Sequence, residues 1–141
     1  MREIINREAL EERFGSWPSF HDAEVYAVRL DSGQRSTGRT SLELDIHLFA
    51  VEGTKPGGRY NFVKHTLITL RFDGIEAVEL DGFGPQNVLD DLLIEDRGSG
   101  RIAVSLPSNN GLSGSLRCEE VVVLGVAPFE PGSRSVYHAD E

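Results

Sequence analysis

One cysteine, Cys118, is too few for an internal disulfide. The chain must hold together by burial alone, and a reducing compartment suits it. No run approaches the roughly 18 apolar residues that a membrane helix needs. The first residues carry Glu3, Arg7, Glu8, Glu11 and Glu12 where a secretory signal would have its apolar centre. A cytoplasmic protein with no membrane partner is therefore expected. Lysine is scarce: Lys55 and Lys64 are the only two, and every other base is an arginine. Acids outnumber bases 23 to 14, for a net charge of −9. That argues against nucleic acid, whose backbone needs a basic stripe. It suits a basic protein partner, because complementary fields speed and orient encounter, although solubility alone explains the same surplus. Reactive signatures are missing as well. There is no Gly-x-Ser-x-Gly elbow and no Cys-x-x-Cys, and Gly82-Phe83-Gly84 lacks the further glycine and the setting of a dinucleotide loop.

What is present is one domain's worth of chain, residues 1–141, patterned mainly for strands. Ile4, Ile5, Ala9 and Phe14 give a thin apolar stripe before Gly15, so a short helix is expected within residues 1–15. Alternation then marks strands over 23–31, 41–49, 61–72 and 75–80, the last two joined by an Asp73-Gly74 hairpin turn. Residues 51–60, with Pro56-Gly57-Gly58, read as a loop. Val88, Leu89, Leu92 and Leu93 recur at helical spacing behind Pro85, so a second short helix is expected near 85–93. Two more strands follow, over 101–106 and 112–126, with a break near Glu119-Glu120. Short returns favour antiparallel pairing. The expected fold is mainly β with some α+β character: a single, curved antiparallel meander over 23–126 and a polar tail over 128–141. Shared parity assigns its core to Tyr26, Val28, Leu30, Leu42, Leu44, Ile46, Leu48, Ile68, Leu70, Val78, Leu80, Leu89, Ile102, Val104, Leu116, Val122 and Leu124.

Unusual residues concentrate in Ser16-Trp17-Pro18-Ser19-Phe20-His21-Asp22-Ala23-Glu24-Val25. Trp17, the only tryptophan, should bury most of its ring there. Pro18 and Phe20 shape the approach, and His21 or Asp22 should bond backbone at the bend. That structural reading of the corner is favoured. Its alternative is a small-ligand or metal-dependent enzyme using His21, Asp22 and Glu24. Metal binding by the other histidines is disfavoured, since His47 and His65 sit on strand faces that look elsewhere and no close His pair pre-forms a site. No cofactor is therefore called for. Cys118, beside Val121–Leu124, reads as a buried inert thiol. Asp90-Asp91 and Glu119-Glu120 read as solvated charge, although the parity of Glu120 with Cys118 and Val122 leaves it either partly buried or displaced by a bulge; Glu43, Asp45, Asp90, Asp91 and Asp96 read as acids available to a basic partner.

The stretch from Trp17 to Val25 resembles the "(W)PSFHDAEV" segment that opens a group of small bacterial β-rich proteins. Leu80-Asp-Gly-Phe-Gly-Pro-Gln-Asn-Val-Leu-Asp-Asp-Leu92 is similar to their "F-x-x-Q-N-x-L-x-D-L" stretch, and Gly114 to Val121 to their closing strand. These segments are identified with the immunity 50 family. The resemblance implies a protein that shields a bacterium from a toxin of a polymorphic toxin system. It brings no catalytic residue with it; Phe20, His21, Asp22, Gln86 and Asn87 match as positions only. The two functions in view are thus a non-enzymatic binder that occludes a toxin, acting as monomer or homodimer, and the enzyme built on His21, Asp22 and Glu24.

Overall fold

The computed structural model describes residues 4–98 and 100–130. They form one helix, α1 (Arg7–Phe14), and eight strands: β1 (Glu24–Asp31), β2 (Ser41–Thr54), β3 (Tyr60–Asp73), β4 (Glu76–Asp81), β5 (Leu93–Asp96), β6 (Ile102–Leu106), β7 (Ser113–Cys118) and β8 (Glu120–Pro128). All strand pairs are antiparallel, as the short returns require. The strands make two four-stranded sheets rather than one meander, in the orders β1-β2-β3-β8 and β4-β7-β6-β5. Their inner faces share a single apolar cluster that runs from Leu42, Leu44, Ile46, Ile68 and Leu70 to Ile102, Val104, Leu106 and Leu116.

The chain changes sheets at two places that lie together. Asp73-Gly74 closes no hairpin. Gly74 and Ile75 instead donate backbone bonds to Thr40, and β4 leaves for the second sheet. The return is at Glu119, whose N–H reaches the Asp73 carbonyl. A Cβ on Gly74 would run into the Glu119 side chain, and the residue holds φ 66, so only glycine fits both constraints. Glu119 and Glu120 pair with Arg39, and Glu119 also with Arg101. They clamp the crossover and are not merely solvated.

The helix expected at 85–93 does not form. Its backbone groups find tertiary partners: Val88 donates to Asn110, Leu89 to Ala23 and Asp90 to Pro107. Helical spacing of Val88, Leu89 and Leu92 was real, yet only Leu89 and Leu92 point into the core. At the centre sits Asn87, 2% exposed. Its Oδ1 accepts from the N–H groups of Gly84 (2.9 Å) and Leu112 (3.0 Å), and its Nδ2 donates to the carbonyls of Gly84 (2.8 Å) and Val25 (3.3 Å). One amide thus ties the start of β1 in one sheet to the approach to β7 in the other. Gly111, at φ 87, is open to this knot because any Cβ would meet the Gln86 carbonyl and Asn87.

Several core assignments shift, and bulges explain most of them. The β1–β2 register slips between Val25 and Ala27, which puts Val25 inside. A slip between Thr69 and Leu70 turns Val121 and Val123 inward and leaves Leu124 exposed. Val78 lies in a β4 irregularity beside Ala77 at φ 53 and is exposed too. Leu30, near the end of the edge strand β1, is exposed although its partner Leu42 is buried. The helix α1 begins later than expected. Ile5 bridges β8 instead, and Leu10 supplies the helix's one fully buried side chain. Cys118 is buried. The tail expected at 128–141 falls outside the described residues from 131 onward. β8 runs to Pro128, and Phe129 packs on the first sheet. Among the described residues, no helix is long and apolar enough to cross a membrane.

Replacing Asn87 by alanine strands several buried backbone groups at once. Asn87→Ala should lower unfolding stability by about 3 kcal/mol, the scale expected when buried hydrogen-bond partners are left unmet. Urea titration of wild type and variant measures it; a loss below about 1 kcal/mol would mean that water replaces the amide.

Candidate functional site

The opening corner is built on its neighbour at 84–90. Gly15, at φ 88, ends α1 by donating to Glu11, and the chain turns. Phe20 is buried, and Trp17 is mostly buried, packed on the core, tilted against Phe20 and covered by the Arg7 guanidinium. Phe20 and Trp17 together form the apolar anchor, with Phe20 the more deeply buried. Ala23 donates back to Phe20, Asp22 donates to Leu89 and Val25 donates to Asn87. These backbone bonds, with Ser19 Oγ accepting from the His21 N–H and Asn87 Nδ2 donating to the Val25 carbonyl, fix the bend, and the side chains of His21 and Asp22 do not. The side chains of His21 and Asp22 are 68% and 61% exposed and meet each other, Nδ1 to Oδ2, at 3.3 Å. Asp22 holds φ 68, a left-handed conformation that aspartate tolerates better than most residues. Glu24 does not join them. It sits opposite His47 in the β1–β2 ladder, and burial raises its carboxyl pKa against the opposing pull of a backbone hydrogen bond from Asn87.

The segment expected to be a loop at 51–60 is instead most of a two-stranded arm. β1 pairs with β2 only as far as His47, and β8 leaves β3 near Thr66. Beyond those points β2 and β3 continue with each other alone, Val51 opposite Phe62 and Thr54 opposite Tyr60. A tip follows in which Lys55 donates to Arg59 and Gly58 to Lys55. Val51, Tyr60 and Phe62 are 53%, 64% and 47% exposed. Between arm and corner lies a groove, with Phe14, Pro18, Ser19, His21 and Asp22 on one wall and Phe49, Ala50, Val51, Tyr60 and Phe62 on the other. Sequence reading gave the corner wall but missed the arm. Its signal was the apolar and aromatic residues Val51, Tyr60, Phe62 and Val63 on both sides of Pro-Gly-Gly.

His47 and His65, expected to point apart, are in contact at 3.0 Å between Nε2 and Nδ1. The outer face of the first sheet carries both. His47 is buried among Tyr26, Phe49 and Phe129, with the Tyr26 hydroxyl 3.5 Å from its other nitrogen. Loss of solvent, then the neighbouring His65, push its pKa below the ordinary histidine value. Among the described residues no three of His, Cys, Asp and Glu gather as a metal site would require. The acids expected to meet a partner are scattered. Glu43 and Asp45 both bind Arg29, and that guanidinium holds the Asp45 carboxyl below its usual range while burial opposes it. Asp90 is exposed in the connection before β5, where Asp91 caps its own neighbour Leu92, and Asp96 accepts from Gly98 at the end of β5.

The family model described as Immunity protein 50 matches residues 6–129 of this chain. No curated protein and no solved structure matches it.

Two outcomes follow from this geometry. Because backbone conformation rather than the carboxylate carries the bend, Asp22→Ala should lose at most about 1 kcal/mol, the part of the left-handed cost that aspartate's short polar side chain relieves and alanine's methyl does not, while Asp22→Gly should melt at or above the wild-type temperature. Equal losses in both would return the role to the side chain. For His47, the folded pKa lies below the unfolded one, so at intermediate pH the unfolded chain holds the extra proton. Stability is then full above about pH 6.5 and falls as pH drops below it. Melting temperatures from pH 7.5 to 5.5 should show that slope, and His47→Phe should flatten it.

Proposed function

The chain belongs to the immunity protein 50 family, and we propose that it neutralises a cognate bacterial toxin by binding it, without catalysis, in the cytoplasm of the producing cell. The observation that carries this reading is the groove beside the arm. Val51, Tyr60 and Phe62 stay in water on an arm that the core does not need. Exposed apolar side chains gathered on one element, with tyrosine and phenylalanine among them, are the composition of a contact surface. The net charge of −9 favours encounter with a toxin of net positive charge, and exposed Asp90 extends that field where Glu43 and Asp45, already engaged by Arg29, add little. His21 and Asp22 form one lip of the groove and serve the contact as part of its wall.

The test is co-production, in a bacterial host, of this chain with the toxin domain encoded beside its gene. Growth should be restored, and the two proteins should co-purify at a fixed ratio. Persistent killing with both proteins soluble would sink the reading. Protection that His21→Ala abolishes while the complex survives would shift it to chemistry at the corner.

A further inference from the structure

The arm differs from the rest of the molecule in charge. Residues 51–64 carry Lys55, Arg59 and Lys64 against one acid, Glu52, in a chain whose net charge is −9. Both lysines of the protein are here. Elsewhere most described arginines are tied to acids, Arg29 to Glu43 and Asp45, Arg39 to Glu119 and Glu120, Arg71 to Asp73 and Arg101 to Glu76, with Arg35 in the β1–β2 loop an exception. Lys55, Arg59 and Lys64 have no ion-pair partner among the described residues. Lys55 and Arg59 also line a shallow hollow with the exposed Tyr60 and Phe62. Unpaired bases beside exposed aromatic rings leave both halves of a contact unfilled.

Backbone geometry says what shape fills it. β1 stops pairing with β2 at His47, and the chain before it bends away through Phe20–Ala23. The groove opens where β1 would otherwise have continued alongside Phe49, Ala50 and Val51. Among the described residues that side of β2 has no strand partner beyond His47, so it is an edge that an added strand could pair with.

We propose that this edge and arm receive an extended segment of the partner protein that carries carboxylates between apolar side chains. It adds as a strand beside β2, its apolar side chains meet Val51 and Phe62, and its carboxylates meet Lys55, Arg59 and Lys64. This rests on the binding function above and names the chemistry of the partner's contact. Charge acts at two ranges: the overall field of the acidic chain draws in a partner of opposite net charge, while the basic arm selects an acidic segment on it.

The experiment measures affinity of the full chain for the cognate toxin domain, with wild type, Lys55→Glu/Arg59→Glu/Lys64→Glu, the matching triple glutamine variant, and Tyr60→Ser/Phe62→Ser. All these positions are exposed or on the arm, and melting temperatures check that each variant folds. Charge reversal should weaken binding about a hundredfold, neutralisation about tenfold, and the aromatic variant at least tenfold. Unchanged or tighter binding by the charge-reversed chain, with wild type bound, would overturn the inference alone. Wild type failing to bind would overturn the function as well. A labelled single-stranded oligonucleotide is run in parallel. Arm-dependent binding of that probe, with toxin affinity indifferent to the arm, would assign the surface to nucleic acid and overturn the inference.

Discussion

The side-chain amide of Asn87 is the constraint on which the arrangement depends. Its two donors and two acceptances join Gly84, Val25 and Leu112, three points that belong to different parts of the fold. A buried amide is tolerated only when its hydrogen-bonding capacity is met, and here it is met entirely by backbone. The neighbouring backbone bonds then follow, Asp22 donating to Leu89, Val25 to Asn87 and Leu89 to Ala23, and with them the bend that opens the groove. The two stretches that carry the sequence resemblance are therefore one structural unit. Trp17 to Val25 and Leu80 to Leu92 are far apart in sequence but zip together at this amide.

The second organising point is the crossover at Gly74 and Glu119. It lies at the end of the first sheet remote from the arm, where Arg39 and Arg101 neutralise the acids that meet there. Both sheets are thus fixed to each other by polar contacts at two ends and by the shared apolar cluster between. The arm lies outside this frame. It contributes little to the core, so its side chains are free to be chosen for a partner.

The sequence alone made the strand content, antiparallel pairing and the inward face of β2 legible. Leu42, Leu44, Ile46 and Leu48 alternate without interruption and are all buried. Legibility ended wherever a bulge reset the parity, as at Val25, Leu124 and Val78, because one extra residue moves every following side chain to the other face. Division into two sheets was not visible, since Asp73-Gly74 has the residues of a hairpin turn and only contact with Glu119 and Thr40 makes it a crossover. The helix at 85–93 failed for a related reason: tertiary backbone partners outweighed local spacing. Of the site, the corner was found from its composition, but its chemistry was misassigned. His21 and Asp22 face water, and Phe20, Trp17, the Asn87 amide and backbone bonds do the anchoring. The arm was hidden by Pro56-Gly57-Gly58, which mark only its tip.

On the proposed reading, scaffold and contact surface are separable: the bonds around Asn87 hold the corner in shape, and the arm beside it is the surface proposed to meet the partner. Backbone hydrogen exchange of the chain, free and bound to its cognate toxin domain, tests that division most directly. The expected result is new protection on binding confined to residues 48–62 and 18–22, with amides around Asn87 protected equally in both states. Protection that appears on the second sheet or around 90–96, with the arm exchanging as fast as in the free protein, would contradict it.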